Sequence, residues 1–139
     1  MYTQQNIDQI AQTIISDLPK KDGATIIALR GDLGAGKTTL TQAIAKYLGV
    51  VEVFTSPTFV IAKFYDTKND AYKNLVHIDA YRIEEPHELV ILGWEEIVLN
   101  QENIVVIEWP EKIAAKIPAR SINLYFDFVD EVTRKIRKG

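Results

Sequence analysis

The chain has 139 residues, a net charge of −3, no cysteines and two histidines. This length suffices for one compact domain, so we expect residues 1–139 to form a single unit. The composition excludes disulfide bonds and thiolate metal sites, and it gives no general positive surface for nucleic acid. No apolar run approaches the ~20 residues that span a bilayer, so we expect a cytoplasmic protein without membrane contact.

The N-terminal third of the chain combines helical and strand patterns. Apolar residues at helical spacing predict a first helix that begins after Asn6 and that Pro19 and Gly23 end. The run "TIIAL" at residues 25–29 lies between turn-forming residues and predicts a buried strand. The segment "TTLTQAIAKYLG" at residues 38–49 predicts a second helix, which Gly49 closes.

The remaining segments predict further strands, one helical region and two hairpins. Residues 56–66 and 71–82 form strand patterns joined by the polar turn "TKND", and residues 86–100 form a helical pattern that Gly93 interrupts. Three more strand patterns follow, of which the last two are expected to pair, at residues 104–109, 122–129 and 131–139. Helices mixed with buried strands predict a three-layer α/β domain with a mixed, partly parallel central sheet and antiparallel hairpins.

A small glycine-rich loop separates the first predicted strand from the second helix. Its sequence "GDLGAGKT" has the spacing Gly, four residues, Gly-Lys-Ser/Thr that defines a phosphate-binding loop, or P-loop. Glycine permits positive φ angles and close approach of backbone N–H groups to phosphate oxygens, and the helix start adds its positive end. We therefore predict a P-loop NTPase-like fold, with nucleotide contacts from Gly31, Asp32, Leu33, Gly34, Ala35, Gly36, Lys37, Thr38 and Thr39.

Three side chains of this loop have separate predicted tasks. Lys37 would neutralise the β- and γ-phosphates, and the Thr38 hydroxyl would ligate Mg²⁺. Thr39 could reach the α-phosphate. The alternative is an ordinary glycine-rich turn with a solvated lysine. At average residue frequencies, a chain of this length matches the motif by chance with odds of roughly half a per cent.

Two acids follow apolar runs and are candidates for the carboxylate that a triphosphate site requires. Glu108 follows "IVVI" and Asp79 follows "LVHI", so both are expected at the C-terminal ends of buried strands, where ligands of parallel sheets bind. Either acid could instead be a structural cap or turn acid. His77, within "LVHI", is expected to pack beside its strand rather than to act in catalysis.

The identity of the base is predicted mainly by what the sequence lacks. Guanine-binding proteins of this class use an Asn-Lys-x-Asp motif, and "TKND" contains similar letters in another order. It is better explained as a hairpin turn. ATP and ADP are therefore favoured over guanine nucleotides.

Four segments in this order closely resemble the bacterial TsaE family, also called YjeE. They are "GDLGAGKTT" at 31–39, "SPTF" at 56–59, "HIDAYR" at 77–82 and "IEWPEK" at 107–112. The resemblance implies the ATPase component of tRNA threonylcarbamoyladenosine biosynthesis, acting with the proteins TsaD and TsaB. It implies weak ATP hydrolysis that supports modification of adenosine 37 in tRNAs reading codons that start with A, and contact with tRNA only through that complex.

The resemblance also implies roles for individual residues. Lys37, Asp79 and Glu108 are the expected catalytic residues, and Glu108 joins Thr38 as an expected Mg²⁺ ligand. Trp109 matches the family tryptophan beside the nucleotide. Arg134 lies where members often carry an arginine near the nucleotide, although this tail has "TR" where "GR" is expected. A small-molecule P-loop kinase and a nucleotide-gated binding switch remain the alternatives.

Overall fold

The computed structural model describes the greater part of the chain, namely residues 2–3, 6–18, 23–31, 36–51, 61–85, 87–128 and 133–138. The "SPTF" segment lies outside these residues. So do four of the predicted loop ligands, Asp32, Leu33, Gly34 and Ala35. The backbone of Arg134 is described, whereas its side chain is not.

Seven strands and four α-helices, together with a 3₁₀ segment, make up the described structure. In chain order they are β1 (Tyr2–Thr3), α1 (Ile7–Ser16), β2 (Thr25–Arg30), α2 (Lys37–Tyr47), β3 (Ala62–Asp66), β4 (Asn74–Asp79), α3 (His87–Ile91), α4 (Trp94–Leu99), β5 (Asn103–Glu108), the 3₁₀ segment (Pro110–Lys116), β6 (Ile122–Phe128) and β7 (Thr133–Lys138). The predicted interruption at Gly93 is confirmed, since this residue separates α3 from α4 with a φ of 83°. The sequence pattern predicts neither β1 nor the 3₁₀ segment.

The strands form one mixed sheet in the order β1-β7-β6-β2-β5-β4-β3. Strands β6, β2, β5 and β4 are mutually parallel at its centre. Antiparallel pairing joins β3 to β4, β7 to β6 and β1 to β7 at the two edges. The predicted mixed sheet, with its two antiparallel hairpins, is confirmed.

Helices cover both faces of the sheet. Alternate side chains of a strand point to opposite faces, so a single strand contributes to the apolar layer on each side. Ile27 and Leu29 of β2 pack in one apolar cluster with α1 and α2. Ile26, which directly precedes Ile27 and points to the opposite face, packs in a second cluster with α3, α4 and the 3₁₀ segment. Full burial of one aliphatic side chain stabilises the fold by ~1.5–3 kcal/mol, so these two apolar layers hold the predicted three-layer arrangement together. Within the described residues, no helix has both the length and the apolar character needed to cross a membrane.

The carboxyl ends of the parallel strands β2, β4 and β5 lie side by side along one side of the sheet, which is called the loop edge because the glycine-rich loop begins there. Leu29 and Asp79 are both register partners of Glu108. Gly31 directly follows β2 at this edge, and α2 begins a few residues later at Lys37. The two described ends of the predicted loop and both predicted acids therefore lie at the carboxyl ends of the parallel strands, where α/β sheets bind ligands.

Candidate functional site

The two described ends of the glycine-rich loop have backbone conformations that favour glycine. Gly31 has a φ of 149° and Gly36 a φ of 97°, in the range that side-chain-bearing residues rarely adopt. Gly36 immediately precedes α2. The first backbone N–H groups of a helix have no partner within the helix, so the start of α2 presents donors toward the loop.

Lys37 is almost completely buried at the start of α2. Its Nζ donates a hydrogen bond of 2.7 Å to the Gly31 carbonyl oxygen and lies 3.8 Å from the centroid of the Trp109 ring. Both of these contacts are to neutral groups. A phosphate oxygen would be a stronger partner for the ammonium group than either, since charge-assisted hydrogen bonds are roughly twice as strong as neutral ones.

Trp109 has an unusual backbone conformation that places its ring in the site. Its φ of 60° and ψ of 51° lie in the left-handed region, which is uncommon for a residue other than glycine. Pro110 follows it and disfavours the right-handed helical region for the preceding residue. The indole contacts Lys37 and also lies 5.1 Å from the Tyr81 ring, centroid to centroid. Such strained residues are enriched at functional sites.

Thr38 and Glu108 join the loop helix to the central strand. The Thr38 Oγ1 donates a hydrogen bond of 3.1 Å to Glu108 Oε1, although the two residues are 70 positions apart in sequence. The hydroxyl hydrogen is engaged by the carboxylate, so the lone pairs of the hydroxyl oxygen stay available to a cation. Hydroxyl and carboxylate oxygens are ligands that Mg²⁺ accepts, so the residues present fit this ion.

The second oxygen of Glu108 contacts His77. The distance from His77 Nε2 to Glu108 Oε2 is 2.6 Å, and the histidine side chain is completely buried. His77 therefore packs beside its strand as predicted, but the sequence pattern does not predict its contact with the candidate acid. The sequence contains part of the information needed: the spacing of two places His77 and Asp79 on one face of β4. The register of Asp79 with Glu108 on the adjacent strand completes it and is known only from the structure.

Asp79 lies at the end of β4, next to Glu108 in the sheet. Its Oδ1 accepts a hydrogen bond of 3.0 Å from the Tyr81 backbone N–H, so the carboxylate also shapes the turn that leaves the strand. This contact matches the turn-acid alternative. The Asp79 side chain is only half-buried, so its carboxylate is also accessible from the site, and its catalytic role stays a prediction.

Thr39 and Arg134 are the remaining predicted nucleotide contacts within the described residues. Thr39 lies half-buried in the first turn of α2. The Arg134 backbone is the register partner of Phe128 at the end of β6, on the same sheet edge as the loop. Two strand spacings separate β7 from β2, which corresponds to roughly 10 Å. The backbone of Arg134 thus lies at the end of the sheet where α2 begins, and the nucleotide contact of its side chain stays a prediction.

Comparisons with known proteins match nearly the whole chain. The family described as "Threonylcarbamoyl adenosine biosynthesis protein TsaE" matches residues 1–136. The tRNA threonylcarbamoyladenosine biosynthesis protein TsaE of Nostoc sp. is 35% identical over 95% of this chain and 87% of that protein. The protein of the same name from Borreliella burgdorferi is 37% identical over 75% of this chain and 74% of its own length. The Bacillus subtilis protein of that name is 36% identical over 80% of this chain and 66% of its own length.

A solved structure has the same fold. The crystal structure of Bacillus subtilis YdiB superimposes with a TM-score of 0.71 at 26% sequence identity, and the match covers 98% of this chain and 79% of that one. The likeness therefore extends over the sheet, both helical layers and the edge that carries the loop.

Proposed function

The chain belongs to the TsaE family, and from this membership we propose that it is an ATP-binding and ATP-hydrolysing component of tRNA threonylcarbamoyladenosine biosynthesis. In this role it binds ATP and its product ADP together with Mg²⁺. It acts with TsaD and TsaB, and tRNA is reached only through that complex. The net charge of −3 supports indirect contact, because independent tRNA binding requires a positive surface. It acts in the cytoplasm, a location that its role in tRNA modification supports.

The hydrogen bond between Thr38 and Glu108 is the observation that carries the proposal. In P-loop NTPases, the Ser or Thr of the loop and an acid at the end of a neighbouring strand hold Mg²⁺ against the β- and γ-phosphates. Here the corresponding oxygens lie 3.1 Å apart at the strand end that parallel sheets use for ligands. Mg²⁺, when bound there, would neutralise charge that develops on the transferred phosphoryl group.

The remaining residues of the site then take defined tasks. Lys37 exchanges its contacts with Gly31 and Trp109 for the phosphates and supplies a buried positive charge. Glu108 holds its carboxylate beside Thr38, and Asp79 supplies a second negative charge at the same edge. Residues 31–36 contribute backbone N–H groups, and Thr39, Trp109 and Arg134 are the further proposed nucleotide contacts.

A comparison of turnover rates tests this function. Phosphate release from ATP is measured with the purified chain in magnesium buffer, alone and with increasing amounts of TsaD and TsaB. We expect slow release by the isolated chain and strong stimulation by the two partners. Transfer of phosphate to a metabolite would instead identify a kinase. ATP-dependent binding to the partners without turnover would identify a nucleotide-gated switch.

A further inference from the structure

We propose that His77 is a positioning residue that holds the Glu108 carboxylate in the orientation required for ATP hydrolysis. This inference rests on the proposed function, since it assigns a task within the same site. The observation behind it is the 2.6 Å contact between His77 Nε2 and Glu108 Oε2, on the side of the carboxylate opposite Thr38.

The direction of this hydrogen bond follows from chemistry. An ionised carboxylate contains only acceptors, so the His77 Nε2–H donates and Glu108 Oε2 accepts. The other oxygen, Oε1, accepts from the Thr38 hydroxyl. Each carboxylate oxygen therefore has one fixed protein donor, from α2 on one side and from β4 on the other. Rotation of the carboxylate would break both hydrogen bonds.

Burial makes this contact unlike a surface interaction. His77 is completely buried, and the Glu108 side chain is 7% exposed. Burying a polar ring or a carboxylate costs free energy unless hydrogen bonds compensate. Leu75, two residues earlier on the same face of β4, packs in the apolar cluster beneath α1 and α2. An apolar side chain at position 77 would suit that layer better, so the imidazole is explained by its bond to Glu108.

Residues that hydrogen-bond a metal-ligating carboxylate determine its orientation, and their loss typically costs 10–100-fold in metal affinity or activity. His77 does not touch the nucleotide in this proposal. It acts through Glu108, so its removal should weaken magnesium-dependent events and spare nucleotide contacts that do not involve the ion.

Two amide substitutions separate the hydrogen bond from the shape of the side chain. Glutamine carries its amide nitrogen as many bonds from Cβ as histidine carries Nε2, so His77→Gln can still donate to Glu108. His77→Asn has the same functional group on a shorter side chain, which cannot reach the carboxylate. Thr25→Val is a matched control, because it removes a different buried hydrogen bond, of 3.3 Å to the Tyr72 hydroxyl, at the other end of the parallel strands.

Each variant is measured for ATP turnover and, by calorimetry, for ADP affinity with Mg²⁺ and with a chelator. For His77→Asn we expect a 10–100-fold loss of turnover and a similar loss of the affinity that Mg²⁺ adds. ADP affinity in the chelator should stay within about threefold of the wild type, which corresponds to ~0.65 kcal/mol. His77→Gln and Thr25→Val should keep the wild-type turnover and magnesium dependence within the same limit.

Equal behaviour of His77→Gln and His77→Asn would overturn the inference, whether both variants retain function or both lose it. Loss of the magnesium dependence in Thr25→Val to the same extent would also overturn it, since general destabilisation would then explain the effect. A wild-type chain that neither binds nor hydrolyses ATP would instead refute the proposed function, and the two failures are thereby distinguished.

Discussion

Two polar side-chain contacts of equal length occupy opposite environments in this molecule. At the end of the parallel centre, His77 Nε2 lies 2.6 Å from Glu108 Oε2, with side-chain exposures of 0% and 7%. In the β6–β7 hairpin, Arg137 Nε lies 2.6 Å from Asp127 Oδ2, with exposures of 54% and 43%. Contact distance alone therefore does not determine what a polar contact contributes to the protein. Exposure to water decides what each contact contributes.

Solvent weakens the exposed pair of Arg137 and Asp127 in the hairpin. Exposed ion pairs contribute little to stability, because water screens them and ordering two side chains costs entropy. Removing His77 and Glu108 from water costs free energy. Their contact is therefore better evidence for a functional role than for a stabilising one.

The largest loss of nucleotide affinity is expected at Lys37, whose buried side chain carries the ammonium group of the loop motif. Lys37→Met removes the only ammonium group that the loop motif supplies to the phosphates. Hydrogen bonds to charged groups contribute ~1.5–3 kcal/mol, so ATP affinity should fall at least tenfold and up to ~150-fold. Titration calorimetry in magnesium buffer measures this loss.

Lys46→Met is the matched control for that experiment. Lys46 lies on the same helix and pairs with Asp8 at 2.8 Å, but its side chain is 75% exposed. We expect wild-type ATP affinity from this variant. Equal losses in both variants would show that helix stability, rather than the buried charge, governs binding.

The second prediction concerns the buried carboxylate itself. Glu108→Gln preserves the shape but removes the negative charge, and its amide has only one acceptor oxygen, so only one of the two donors, His77 or Thr38, keeps an acceptor. Turnover should fall by roughly 100-fold or more, the range seen when one group that stabilises transition-state charge is removed. Nucleotide affinity should change less. Glu111→Gln serves as control, because Glu111 is half-exposed and pairs with Arg30 only at 3.7 Å. Unchanged turnover in Glu108→Gln would remove this residue from the mechanism.

Much of the fold follows from local sequence patterns. Buried strands such as β2 and β5 are continuous apolar runs, and Gly49 and Gly93 end helical patterns where the structure has positive φ angles of 81° and 83°. The strand β1 has only two residues, and the 3₁₀ segment contains a non-helical residue at Ile113. Neither carries a periodic pattern long enough to be recognised, so pairing and packing at long range determine them.

The site was predictable to the extent that its residues sit at ends of regular elements. Strand-end acids and a glycine loop before a helix are local signals, and the parallel register then brings Asp79 and Glu108 side by side. The contact of His77 with Glu108 requires the neighbour relation between β4 and β5, which no local pattern encodes. The inward placement of Trp109 likewise depends on a left-handed backbone conformation that tertiary packing maintains.

The third prediction separates two tasks of Asp79. Asp79→Asn keeps an oxygen that can accept from the Tyr81 N–H, so the turn after β4 should persist, whereas the charge is lost. If the charge serves hydrolysis, turnover should fall about tenfold or more while the thermal unfolding midpoint stays near that of the wild type. Asp79→Ala loses the turn bond as well and should unfold at a lower temperature. Wild-type turnover in Asp79→Asn would reduce Asp79 to a structural turn acid.

The smallest effect is expected in the exposed hairpin pair, and it should appear only as a pH dependence. The hydrogen bond from Arg137 holds the pKa of Asp127 below its ordinary value of 3.8. A lowered folded-state pKa means that the unfolded chain binds the proton more readily. The pair therefore contributes its stability above the ordinary pKa and loses it as the pH falls through the folded-state value.

Asp127→Asn should consequently lower the unfolding temperature by no more than roughly 2 °C at about pH 7, and the difference from the wild type should shrink as the pH falls below the ordinary pKa of 3.8. Salt at ~1 M should shrink the difference at neutral pH as well, because it screens exposed charges. Nucleotide affinity and turnover should not change. A decrease in unfolding temperature that persists in acid and in salt would mean that Asp127 contributes through packing rather than charge. The contrast between the two 2.6 Å pairs would then rest on something other than their exposure to water.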